Sequence, residues 1–159
     1  LQVAKKLQKE LVKRGYKVIM VRTKNNVRMS NVQRAKVANK YKADAFIRIH
    51  ANSAGSSSVK GALTIAPASN NRYMTKANRK ASQKLSKKVL KAMCKTTGAK
   101  NRGVMYTNSM TGINWCKVPV TIVEMGFLSC PSEDKKMSKS SYQKKMVRGI
   151  ADGIDNFFA

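Results

Sequence analysis

The sequence predicts an α/β fold: an open, mostly parallel twisted sheet with helices on both faces, in a single domain over residues 1–159. Three observations lead there. Segments with apolar residues three and four apart alternate with short β-branched runs in the order α β α β β α β β α, the alternation of helices that cover a largely parallel sheet. The length, 159 residues with 42% hydrophobic residues and 9 scattered glycines, is that of one domain with a core, and no linker or internal repeat divides it. A disordered basic tail and a collagen-like repeat are thereby excluded. Finally, the single histidine, His50, and the acid Glu124 both fall at the C-terminal ends of expected strands, the edge at which open α/β sheets place ligands.

Each element has its own signal. Residues 1–14 carry Leu1, Ala4, Leu7 and Leu11 on one helical face, lysines off it and Gly15 as the stop. Lys17–Arg22 (KVIMVR) reads as a buried strand. Ser30 and Gln33 have capping-box spacing, and Val32, Ala35, Ala38 and Tyr41 continue as a helix. Ala45–His50 (AFIRIH) is a second strand, followed by the small, polar surface loop Ala51–Ser58. Gly61–Ala66 is a short strand, and the longest helix runs from about Thr75 to Thr97, ended by Gly98. Val104–Thr107 is a weak strand and Val120–Glu124 (VTIVE) the strongest, entered after Pro119. The last helix opens on a second capping-box spacing, Ser140 to Gln143, and buries Tyr142, Met146, Ile150, Ile154 and Phe157 or Phe158.

The chain carries 33 Lys plus Arg against 7 Asp plus Glu, a formal charge of +26. Such a surface attracts polyanions: nucleic acid, anionic lipid headgroups or anionic cell-wall polymers. The 24 lysines and 9 arginines favour a diffuse field over the bidentate contacts of dedicated nucleic-acid reading. No apolar stretch approaches the roughly 20 residues of a membrane span. Cys94, Cys116 and Cys130 lack CxxC spacing, so zinc-ribbon and thioredoxin readings have no support and the redox compartment stays open.

His50 is either a strand-end imidazole bonded to backbone or a metal or acid-base group. Glu124 is either an ion-paired carboxylate or a desolvated one whose raised pKa suits a general base. Val118–Asp134 contains no Lys or Arg and Ile49–Asn71 only Lys60, while Asp44, Glu133 and Asp134 flank these stretches. A divalent cation should meet the least repulsion there. Against this, a catalytic zinc takes about three protein ligands, and one His with one Glu is short of that. No GxSxG elbow, Walker loop or HExxH sequence is present.

Taken together, Gly15–Arg22, Arg34 with Ala38-Asn39, Ala43–Asn52 (ADAFIRIHAN), Asn101–Val104 and Val118–Ser129 (VPVTIVEMGFLS) resemble the zinc-dependent N-acetylmuramoyl-L-alanine amidases of bacterial cell-wall turnover. The resemblance implies that His50 is a zinc ligand and Glu124 the catalytic acid/base on the amide between the muramoyl lactyl group and L-alanine. It implies peptidoglycan as substrate and an extracellular or cell-wall-associated location. Asn52 is expected to orient a loop or substrate beside the metal.

This sequence also departs from the family. The family's remaining zinc ligands and its first strand are expected upstream of Leu1, so residues 1–159 are expected to be N-terminally incomplete and, alone, inactive. Arg48 stands where a small residue is usual two before the histidine, and Cys130 where an Asn usually follows the serine. A catalytically inactive module of the same fold, binding wall or a partner, is the first alternative. The second is a basic nucleic-acid-binding protein, which 6% aromatics and the lack of a recognition motif disfavour. The lysines are expected to hold anionic wall polymers, with no specific nucleic acid and no membrane span.

Overall fold

The computed structural model describes residues 1–159. Its elements are α1 (Gln2–Lys13), α2 (Asn31–Lys40), β1 (Phe46–Asn52), β2 (Ala62–Pro67), α3 (Lys76–Thr97), β3 (Asn101–Thr107), α4 (Thr111–Asn114), β4 (Val120–Phe127), α5 (Pro131–Ser138) and α6 (Ser140–Phe158). The sheet order is β1-β4-β2-β3, with β1–β4 and β2–β3 parallel and β2–β4 antiparallel. The open α/β fold stands, in a mixed sheet in which two of three pairings are parallel.

Two cores flank the sheet. Along the central strand β4, Val120 and Ile122 join Ala35 and Ala38 of α2 and Ile113 of α4. Val123 points the other way, to Leu7 of α1, Leu85 and Val89 of α3 and Ile150 of α6. The period-2 alternation of a strand buried on both faces explains why VTIVE is apolar throughout. Small polar groups stitch α3 to the sheet: Ser82 Oγ accepts from Val120 N–H at 2.9 Å, and Ser86 Oγ bonds Thr121 Oγ1 at 2.8 Å. Behind α3, α6 approaches so closely that a Cβ at Gly153 would overlap the Val89 backbone.

Three expectations change. Lys17–Arg22 is not a strand, because none of its backbone groups bonds another backbone group; strand composition does not make a strand without a neighbour to pair with. The first capping box forms at Ser30 and Gln33, but the second does not. Gln143 instead donates to Met137 O and Gln2 Oε1, and both it and Ser140 accept from Lys6 Nζ, which ties α1 to α6. Two short helices, α4 and α5, were not expected. α5 had a signal, Pro131 at its first turn followed by Glu133 and Asp134; α4, at four residues, is too short to show a period.

Candidate active site

β1 and β4 run parallel in a register that places His50 opposite Glu124. Both side chains leave the same face of the sheet, that of α2 and α4, because they continue the alternation of Phe46 and of Val120 and Ile122. His50 Nδ1 lies 3.8 Å from Glu124 Oε1, a contact longer than a hydrogen bond, with the imidazole 44% and the carboxylate 10% exposed. Immediately beyond, the register shifts between His50 and Asn52, so that Asn52 pairs with Phe127. Between these pairs β4 carries one residue more than β1, a bulge.

Glu124 is buried because its strand is flanked on both sides: His50 lies across on β1 and Leu63 across on β2. Burial raises its pKa, opposed by the charge of Arg48, and its Oε2 is buried without a hydrogen-bond partner. His50 is pushed down to about 4, first by burial and then by Arg48, Arg34 and Arg22. A neutral imidazole therefore stands beside a carboxyl of raised proton affinity.

Arg48 is the site neighbour that sequence reasoning noted only as a departure. It precedes His50 by two residues and so shares its face, it is 8% exposed, and its Nη2 donates to Asn31 Oδ1 at 2.7 Å. Room for it comes from Gly112, where any Cβ would overlap the guanidinium. The expected cation-poor surroundings are thus corrected: the sequence stretches around His50 and Glu124 hold only Lys60, but Arg48 stands beside His50 on β1 and the fold brings Arg22 and Arg34 in from other segments.

The other candidate donors do not join His50 and Glu124 in a cluster. Glu10, Asp152 and Asp155 pair with Arg14. Glu133, expected to favour a cation, instead accepts from the backbone N–H groups of Gly61 and Phe127. Cys94, Cys116 and Cys130 are free and buried, and burial pushes the Cys116 thiol up to about 12. Asn52 Oδ1 accepts from Ser53 N–H at 2.8 Å, and its carbonyl accepts from Leu128 N–H, so its contacts shape the loop. No group of three His, Cys, Asp or Glu side chains converges. A catalytic zinc takes about three protein donors and an open position, so the residues present do not fit a complete zinc centre.

A family model described as N-acetylmuramoyl-L-alanine amidase matches residues 1–156. The chain belongs to that family. Among curated relatives, the amidase LytC of Bacillus subtilis (strain 168) is 28% identical over 158 residues, covering 99% of this chain but 30% of LytC. The chain spans less than two thirds of the length of the first curated relatives it matches. Among solved amidases, the catalytic domain of CwlV from Bacillus (Paenibacillus) polymyxa var. colistinus superposes with a TM-score of 0.85 at 29% identity, covering 99% of this chain and 81% of that one. The amidase of Clostridium difficile 630 gives 0.88 at 26% identity, covering 99% and 80%. No helix is long and apolar enough to cross a membrane.

Proposed function

We propose that this chain is the catalytic part of a peptidoglycan hydrolase that cleaves the amide between N-acetylmuramic acid and the L-alanine of the stem peptide. The observation that carries this reading is the register pairing of His50 with Glu124 at the C-terminal edge of β1 and β4, in a chain of the amidase family. Glu124 is the general acid/base. Its raised pKa suits it to take a proton from water as the water oxygen bonds the lactyl carbonyl carbon. The same proton then passes to the alanine nitrogen as the C–N bond breaks, leaving a carboxylic acid and a free amine. His50, held neutral, offers a lone pair and is the zinc ligand that the family resemblance implies. Because the residues present do not complete a zinc centre, residues 1–159 alone are expected to bind zinc weakly and turn over little.

The protein acts outside the cell or on its wall, where the lysines hold it to anionic polymers and Asn52 shapes the loop beside the site. A second reading, a catalytically inactive amidase fold that binds wall or a partner, is favoured by the lack of a third converging donor. Mass spectrometry of peptidoglycan treated with the protein as the cell makes it separates the two. Amidase action should release stem peptides with a free alanine amine and leave intact glycan strands; unchanged glycan and peptide would support the binding module.

A further inference from the structure

Tyr73 is 70% exposed, and Trp115, the only tryptophan, is 54% exposed. Both rings stand outside the two cores, and neither stacks on another ring. Yet the backbone beneath them is pinned by asparagines. Asn71, 1% exposed, spends both ends of its amide on the two loops: Oδ1 accepts from Tyr73 N–H at 2.9 Å, and Nδ2 donates at 2.8 Å to Asn114 Oδ1, directly before Trp115. Asn39 of α2 donates from Nδ2 to the Trp115 carbonyl at 2.9 Å and accepts from Lys117 N–H at 2.8 Å. Asn78 of α3 donates to the Lys117 carbonyl at 2.7 Å. Two solvent-facing rings are thus held on fixed loops, so little conformational entropy is lost when a ligand covers them.

The surroundings select the ligand. Residues 68–79 and 107–119 contain no Asp or Glu. Asn114 Nδ2 donates to Asn108 O and Asn108 Nδ2 to Asn70 Oδ1, and each of these amides keeps a second N–H. Two rings set among amides are too small an apolar surface for a protein partner, which takes roughly 800 Å² a side. They suit a sugar, whose apolar C–H face lies on an aromatic ring while its hydroxyl and acetamido groups meet amides. A single-stranded nucleic acid would stack on the same rings, but its hold depends on cations that track its phosphates. Here Arg79 is spent on the carbonyls of Asn71 and Met74, and Arg72, Lys76 and Lys117 are exposed, so salt tells the two ligands apart.

We propose that Tyr73 and Trp115 form a binding site for an uncharged glycan strand, each ring stacking on one sugar. α4 links this platform to the candidate site: its Gly112 lies against Arg48, two residues before His50, and Trp115 caps its other end. That the sugars are those flanking the muramoyl unit being cleaved rests on the amidase reading; sugar binding itself rests on the platform alone.

The single tryptophan makes the test spectroscopic and independent of zinc and turnover. Soluble chito-oligosaccharides, which are uncharged, should shift Trp115 emission to shorter wavelength, saturably and equally at low and high salt. By calorimetry, Trp115→Ala and Tyr73→Ala should each weaken binding about tenfold or more, and Trp115→Phe should keep more affinity than Trp115→Ala. Circular dichroism checks that the variants fold; should Trp115→Ala not fold, the wild-type titration and Tyr73→Ala decide. Emission unchanged at millimolar sugar, or folded alanine variants that bind as wild type does, would overturn the proposal. So would a response confined to single-stranded nucleic acid and lost with salt, or an emission that shifts with protein concentration alone, which would mean a second copy on the platform. In the protein as the cell makes it, muropeptide hydrolysis with no sugar response would sink this inference alone, and sugar binding without hydrolysis would sink only the amidase reading.

Discussion

At 3.8 Å from each other, the His50 imidazole and the Glu124 carboxyl are perturbed in opposite directions. The stability they confer therefore has opposite pH slopes. His50 is lowered from 6.5 to about 4, so between those values the unfolded chain binds a proton that the folded chain refuses, and stability is lost as pH falls through that window. Glu124, raised by burial, contributes a loss as pH rises above its ordinary range. In a Glu124→Gln background, which removes the carboxyl's slope, the unfolding free energy should fall from pH 6.5 to pH 4, and His50→Gln should flatten the imidazole's share of that fall. Chemical denaturation across this range checks it; identical slopes with and without His50 would show an unperturbed imidazole. Both residues were legible as candidates because each is chemically unusual at a strand end. Their adjacency was not, because β1 and β4 are neighbours in space with β2, α3, β3 and α4 between them in sequence. The convergence of Arg22 and Arg34 on His50 was hidden for the same reason, whereas Arg48 was visible two residues before it.

At the scale of elements, the α3–α6 packing shows how a sequence feature with no period of its own sets geometry. Gly153 lets α6 lie against the Val89 backbone. Gly153→Ala, helical in conformation and favourable in propensity, should nonetheless destabilise by about 1–3 kcal/mol through overpacking, whereas Gly55→Ala, with open space around its Cβ position, should be within about 0.5 kcal/mol of neutral. Thermal or urea unfolding of the two variants decides this, and equal stability would mean the helices can separate freely. The helices and central strands were readable because each carries its burial in its own period: Met146, Ile150 and Ile154 on α6, Leu85, Val89 and Met93 on α3. Lys17–Arg22 misled because composition reports suitability for a sheet, while pairing depends on a partner that the local sequence does not contain.

Over the whole molecule, the charge of +26 and the candidate site obey different physics. Attraction between exposed lysines and an anionic wall is screened over a Debye length of about 8 Å at physiological ionic strength. Binding to whole walls should fall steeply with added salt, while hydrolysis of a small soluble muropeptide should change little. A sedimentation assay beside a soluble-substrate assay measures both; equal salt sensitivity would place the lysines in the active site. On the proposed function, Glu124 moves the proton between water and the leaving amine. The direct measurement is soluble-muropeptide turnover by Glu124→Gln in the protein as the cell makes it, with zinc content measured on the same sample. Turnover should drop by about two to four decades with zinc retained; turnover within a few fold of wild type would leave Glu124 without this role.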